Sequence, residues 1–243
     1  MLALAATGLA QPQPSFEVAS IKPVTGKRAW MLPRANGSQR FEFLGDVAWL
    51  IEWSYDVRDF QVSGGPEWLG IPGKFVAGER AWPDADVFDV QATTGRPTSE
   101  TEMKVMVRTL LAERFNLKLH RERRVLPVYA LVVSKQGPKL VPSESSCRGE
   151  GCYTVGRGAL ISAGGTMDGL AAVLTNNVDR PVVDKTGLTG RYKFRLNFPA
   201  EGAGWRTGSA IFAPIRDLGL QLEPQAETVE MLVIDSAEQP SGN

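Results

Sequence analysis

"TSETEMKVMVRTLLAERFNLKLHRERRVLPVYALVV", residues Thr98–Val133, reads as helix, turn, strand. Ser99 followed by Glu102 is a capping-box pair, in which the hydroxyl takes an early helix amide and the carboxylate reaches back to the cap amide. Met103, Met106, Val107, Leu110, Leu111 and Phe115 then repeat at the spacing of one buried helical face. Glu102, Lys104, Arg108 and Glu113 fill the solvated side. Burying each large apolar side chain is worth roughly 1.5–3 kcal/mol, so this face belongs on a sheet. After Asn116 the period changes to two, at Leu117 and Leu119, and the polar "HRERR" is expected to turn. Val128–Val133 is a continuous run of β-formers, expected as a central strand.

A fainter copy of this pattern returns downstream. Gly45, Leu50, Asp59, Val62 and Gly70 match Gly165, Leu170, Asp179, Val182 and Gly190 at a constant offset. "FNLKL" matches "LGLQL", and "VYALVV" matches "VEMLVI". Each half therefore reads β-α-β-β-α-β. The expected fold class is α+β, with two repeated βαββαβ sandwiches, ferredoxin-like or like the short domain of secretins and TonB-dependent receptors. The expected domains are an arm over 1–14, a first unit over 15–140, a linker with the cysteine pair over 141–158, and a second unit over 159–243. Within these, strands are expected at Phe16–Ile21 (ended by Pro23), Gln39–Leu44, Phe60–Val62, Val87–Ala92, Leu160–Ala163, Pro181–Val183, Tyr192–Phe198 and Val229–Ile234. Further helices are expected at Val47–Tyr55, Met167–Val178 and Ile211–Leu218. Pro214 must then fall in the first turn of the last one or kink it. Lys27–Gly37, Pro138–Gly158 and the Gly-rich Glu201–Gly208 read as loops, and Ile71–Ala85 as irregular.

The 27 basic and 27 acidic residues cancel, which argues against nucleic acid as a main partner and against an electrostatic membrane patch. No apolar run is long enough to span a bilayer as a helix. Met1–Ala10 reads as the end of a signal-peptide apolar region with a cut before Gln11, although the basic stretch that precedes such regions is missing; an N-terminal arm is the competing reading. Cys147 and Cys152, in "CRGEGC", are the only cysteines. An exported chain would close them as a disulfide, a metal site would need two more ligands, and a cytosolic chain would leave two thiols. The disulfide with an exported location, periplasmic or extracellular, is the preferred pair of expectations.

"FEVASIKP", "GGPEWL", "LLAERFNLKLHRERRVLPVYALVVSKQGPKL", "RPVVDKTGLTGRYKF", "LGLQLEPQ" and "VEMLVIDSAEQPSGN" resemble the soil-associated acidobacterial protein family, over nearly the whole chain from Phe16. The resemblance implies an exported bacterial protein carrying a domain of unknown function. Similar domains occur behind sensor-type membrane metallopeptidases. The family offers no catalytic residue to carry over. Residues 71–85 depart from its pattern as a longer insertion.

Chemistry has few carriers. His120 is the only histidine, and its "HRERR" surroundings suggest a solvated position at a hairpin end. With one histidine no H-E-x-x-H site can exist, and neither a G-x-S-x-G elbow nor a phosphate loop is present. Asp59, Asp179 and Asp184 are the carboxylates a glycosidase-type pair would draw on, with local turn roles as the competing reading. The "GGPEWL" and "DKTGLTG" turns occupy equivalent places in the two halves. They nominate Gly64, Gly65, Trp68, Asp184 and Lys185 as a ligand rim, or as tight strand connections. Trp49 and Trp53 fall four apart on a helix, as a sugar platform or as packing. No cofactor or metal is expected. The functional expectation is an exported, non-catalytic binding module for a protein, peptide or glycan. The alternatives are a carboxylate-based hydrolase of an extracellular polymer and a sensor domain acting in trans with a membrane peptidase system.

Overall fold

The structure is a computed structural model and describes residues 13–24, 31–34, 39–71, 75–76, 79–80, 85–147, 152–156, 158–198 and 211–240. The leader expected at Met1–Ala10, the Glu201–Gly208 loop, and parts of Lys27–Gly37 and Ile71–Ala85 lie outside these residues.

The strands in chain order are β1 Val18–Val24, β2 Met31–Arg34, β3 Arg40–Gly45, β4 Val62–Gly64, β5 Phe75–Val76, β6 Glu79–Arg80, β7 Val87–Thr93, β8 Lys118–Val133, β9 Val141–Pro142, β10 Tyr153–Gly156, β11 Ala159–Thr166, β12 Val182–Asp184, β13 Arg191–Asn197 and β14 Leu220–Ser236. The helices are α1 Val47–Tyr55, α2 Glu100–Arg114, α3 Met167–Thr175 and α4 Phe212–Asp217. The fold is α+β. Three sheets have four strands each, in the orders β1-β7-β3-β2, β10-β11-β13-β9 and β12-β8-β14-β4, and β5 and β6 form a small hairpin.

Local chemistry sets the helix ends. Ser99 Oγ accepts the Glu102 amide at 3.2 Å, so α2 starts at the cap the sequence marks. Glu100 and Glu102 lie in its first turn and Arg114 in its last, each at the end of the helix dipole that favours it. Asp46 caps α1 through the Trp49 amide at 3.0 Å, and Thr166 caps α3 through Gly169 at 3.2 Å. Pro214 falls in the first turn of α4, where its missing amide costs no helical hydrogen bond.

Two compact units divide the chain. The first takes Met1–Pro72, Trp82–Glu122 and Met231–Asn243, and the second takes Gly73–Ala81 and Arg123–Glu230. The core of the first gathers Phe41, Phe43, Leu50, Ile51, Val90, Met103, Val107, Leu111 and Phe115 with Leu232 and Ile234. The core of the second gathers Leu160, Met167, Leu170, Leu174, Leu196, Ile215, Leu220 and Leu222 with Leu131. The expected cut between 140 and 159 therefore gives way to an exchange of strand ends. The start of β8 belongs to the first unit and its end to the second, while β14 runs the other way. Pairing follows suit: β4 lies parallel to β14 through Val62↔Leu232, and β12 parallel to β8 through Val182↔Tyr129. The strands of each half divide between two sheets instead of closing one.

Other expectations are corrected by local physics. "HRERR" does not turn; it is the middle of β8, with Arg121, Arg123 and Arg124 all exposed. Where both faces of a strand meet solvent, the alternation that signals a strand disappears. β14 likewise runs unbroken through Pro224. Phe60 sits in a 3-10 turn, Asp59–Gln61, held by the Gln61 carboxamide accepting the Arg58 amide at 3.0 Å. Pro23 lies inside β1, an outer strand where a missing amide is tolerated. Met31–Arg34 is strand, and the expected 141–158 linker supplies β9 and β10, the two outer strands of the second sheet.

Asp46 is buried, and burial pushes its carboxyl up to about 6 against the pull of the Trp49 amide. Its protonation therefore favours the folded state. That contribution is complete below the unfolded value of 3.8 and is lost as pH rises through about 6. Asp46→Asn keeps the cap and removes the charge. The variant is expected to gain on the wild type between pH 4 and 7 by an amount on the order of 3 kcal/mol, read by urea unfolding across pH. A wild-type-minus-variant difference that is flat with pH would contradict this.

Candidate functional site

Most of the nominated rim is consumed by packing. Gly64 and Gly65 have φ of 81° and 75°. A Cβ on Gly64 would lie 2.7 Å from the Ile234 carbonyl oxygen, and one on Gly65 would lie 2.7 Å from Leu69 Cδ1. These glycines let the chain pass close over β14, which is a structural reason for them. Trp68 is half-buried, stacked on Phe115 with centroids 6.2 Å apart and edge-on to Phe88 at 6.3 Å. Its carbonyl accepts the Asp86 amide.

The equivalent turn in the second unit is similarly engaged. Asp184 Oδ1 accepts the Thr186 amide at 2.9 Å and its hydroxyl at 2.7 Å, an Asx-type turn. Lys185 pairs with Glu227 at 3.0 Å, and its amide donates to the Leu131 carbonyl. Asp59 Oδ1 accepts the Phe60 amide at 2.6 Å, and Asp179 pairs with Arg180 at 3.5 Å. Arg180 also lies 5.3 Å over the Tyr129 ring, and the Tyr129 hydroxyl is raised by burial and by the Asp179 carboxylate.

The tryptophans of α1 serve the helix pair. Trp53 packs on Phe41 at 5.5 Å and carries the Lys104 ammonium 5.5 Å from its ring centroid. Trp49 packs against the same core. Arg108 sits 4.8 Å over Tyr55 and donates to the Ser54 carbonyl at 2.6 Å, tying α2 to the end of α1.

His120 is on a strand rather than at a hairpin end. Its Nδ1 lies 2.8 Å from Asp235 Oδ1 and its Nε2 lies 3.8 Å from Glu122. His120 and Asp235 are exposed and Glu122 is partly so, which makes this a polar cluster on the surface. Among the described residues no group of three or more His, Cys, Asp or Glu is placed to hold a metal.

Cys147 and Cys152 form a disulfide, with Cα atoms 5.3 Å apart. Cys152 is buried in the second core. The segment from Ser143 to Cys147 is fastened to the sheet beside it. Arg191 Nη1 donates to the Cys147 carbonyl at 2.6 Å and to the Gly164 carbonyl at 3.2 Å, and the Ser143 amide donates to the Arg191 carbonyl.

That sheet holds the surface missing from the nominated set. In β13, Tyr192, Phe194 and Leu196 pack into the second core, so Arg191, Lys193 and Arg195 share the opposite face. Ile161 lies across from Arg195, and Thr154 across from Ile161; Ala163 and Val141 lie across from Lys193 on either side. Val141 is 63% exposed and Ile161 38%. The four strands carry three cations and no carboxylate. Arg191 is used on carbonyls and Arg195 Nε donates to Asn197 Oδ1 at 2.8 Å. Among the described residues no carboxylate pairs with Lys193 or Arg195. The signal was present in "RYKFRLN", where cations alternate with large apolar residues.

A protein-family model described as "Protein of unknown function (DUF3738)" matches residues 69–237. No curated protein and no solved structure matches.

Reducing the disulfide, or Cys147→Ser with Cys152→Ser, is expected to cost about 2 kcal/mol for so short a loop, measured by urea unfolding with and without reductant. His120→Ala is expected to cost 1 kcal/mol or less, roughly the value of an exposed ion pair; a loss several times larger would assign His120 a structural role that its exposure does not.

Proposed function

From the premise that the chain belongs to the DUF3738 family of unknown function, with most of its length inside the match, we propose that it is a non-catalytic interaction module that binds a partner polymer, polypeptide foremost, on exposed sheet surface. The observation that carries this reading is the outward face of the second sheet. One face of β10-β11-β13-β9 is packed into a core, and the other leaves Ile161, Val141, Lys193 and Arg195 in solvent. Exposed cations that meet no carboxylate, flanked on either side by an exposed apolar side chain, give this regular face the mixed charge and apolar character of a recognition surface. The nominated reactive groups argue the same way. A hydrolytic pair needs two carboxylates turned toward a substrate, and Asp59 and Asp184 each accept an amide of their own turn while Asp179 pairs with Arg180 beside the Tyr129 hydroxyl.

The module is read as exported and bacterial, of the soil-associated acidobacterial kind. The Cys147–Cys152 disulfide supports an oxidising compartment, and no helix among the described residues is long and apolar enough to cross a membrane. Its architecture is read as a duplicated βαββαβ order. In support, α1 and α3 have nine residues each and start at Val47 and Met167, 120 positions apart. β4 and β12 have three each and start at Val62 and Val182, the same distance apart.

Thermal-shift screening against extended peptides, peptidoglycan fragments and polysaccharides tests the proposal, with hydrolysis of the same compounds assayed in parallel. A bound ligand at about a hundred times its Kd is expected to add about 2.7 kcal/mol of stability. Turnover of any of them without a stabilising ligand would overturn the non-catalytic reading.

A further inference from the structure

We infer that the outward face of the second sheet docks an acidic polypeptide segment in extended conformation, with Lys193 and Arg195 as its charge-reading residues. This rests on the interaction-module reading above and names the partner chemistry of that same face. The argument starts from charge. The whole chain balances 27 cations against 27 acids, yet the four strands of this sheet hold Arg191, Lys193 and Arg195 and no acid at all. This sheet therefore carries a cationic excess with no acid of its own, and all three cations fall on one strand face. Arg191 fastens the disulfide segment. Lys193 and Arg195 remain exposed to solvent and meet no carboxylate among the described residues.

Spacing then selects the partner. Same-face positions on a strand recur at roughly 6.7 Å. An extended polypeptide carries its own alternate side chains at the same interval, so carboxylates at every second position reach successive cations. Between the cations, Ile161 beside Arg195 and Val141 beside Lys193 offer apolar contacts. The complementary segment is acidic at alternate positions with apolar or small residues near them. Complementary charge of this kind sets specificity and association rate, and its strength falls with salt.

The test uses the full chain and fluorescently labelled poly-L-glutamate, followed by anisotropy at low and high ionic strength. Polygalacturonate and anionic phospholipid vesicles are measured in parallel. Binding to poly-L-glutamate is expected, weakening as salt rises. Lys193→Glu with Arg195→Glu is expected to weaken it by about tenfold or more, with an unchanged melting temperature. Lys118→Glu with Lys135→Glu, the same charge change at exposed positions elsewhere, is expected to leave it within about twofold. If the charge-reversed chain melts early, Lys193→Gln with Arg195→Gln is read instead, with a loss of the same direction expected. No binding to poly-L-glutamate, equal loss in the control pair, or tighter binding to polygalacturonate or vesicles each overturns the inference. A partner from the ligand screen that binds the Lys193→Glu, Arg195→Glu chain as tightly as the wild type removes this face while leaving the interaction-module reading in place.

Discussion

Two long strands, each required to serve two hydrophobic cores, constrain everything else in this protein. β8 follows Leu117 out of the first core, with Leu119 packed against it, and ends in the second with Leu131. β14 begins in the second core with Leu220 and Leu222 and ends in the first with Leu232 and Ile234. A strand presents alternate residues to opposite faces, so within each unit a slip of one position would turn that unit's apolar residues away from its core. The short parallel strands β4 and β12 lock that register from the outside, through Leu232↔Val62 and Tyr129↔Val182. The polar stretches between the apolar ends of β8 and β14 carry charge because neither core reaches them.

This arrangement explains why the nominated site residues have structural work. The turns after β4 and β12 sit against the last strands they pair with, so Gly64 and Gly65 are shaped by Ile234, and Lys185 hydrogen-bonds the Leu131 backbone. Asp184 and Thr186 close the second turn internally. Trp68 fills the gap beside Phe115 and Phe88. Such residues look functional in a sequence because tight connections and binding loops use the same glycines, aspartates and aromatics. Lys193 and Arg195, which meet no carboxylate among the described residues, lie instead on a regular strand, β13, whose other face is core. A regular strand is the more rigid support for a recognition surface, since its side chains are placed by the ladder and not by a loop.

The residues themselves decided more of the local structure than of the assembly. Ser99 and Glu102 set the start of α2, Val47–Tyr55 forms α1, and the alternating Val87–Thr93 and Arg191–Asn197 form strands, because caps and periodicity are short-range signals. For Cys147 and Cys152 the residues left disulfide, metal site and free thiols open, with the disulfide preferred for an exported chain, and the structure has the disulfide. What only the tertiary structure decided is which strand meets which. "VYALVV" reads identically whether it completes its own half or the other, because burial requires an apolar neighbour and does not specify whose. The continuity of β8 through "HRERR" and the exchange of strand ends follow from that choice of neighbour, a long-range matter that no local pattern of residues encodes, whereas the alternation in "RYKFRLN" marks which residues share a face and the packing of Tyr192, Phe194 and Leu196 decides that Lys193 and Arg195 are the outward ones.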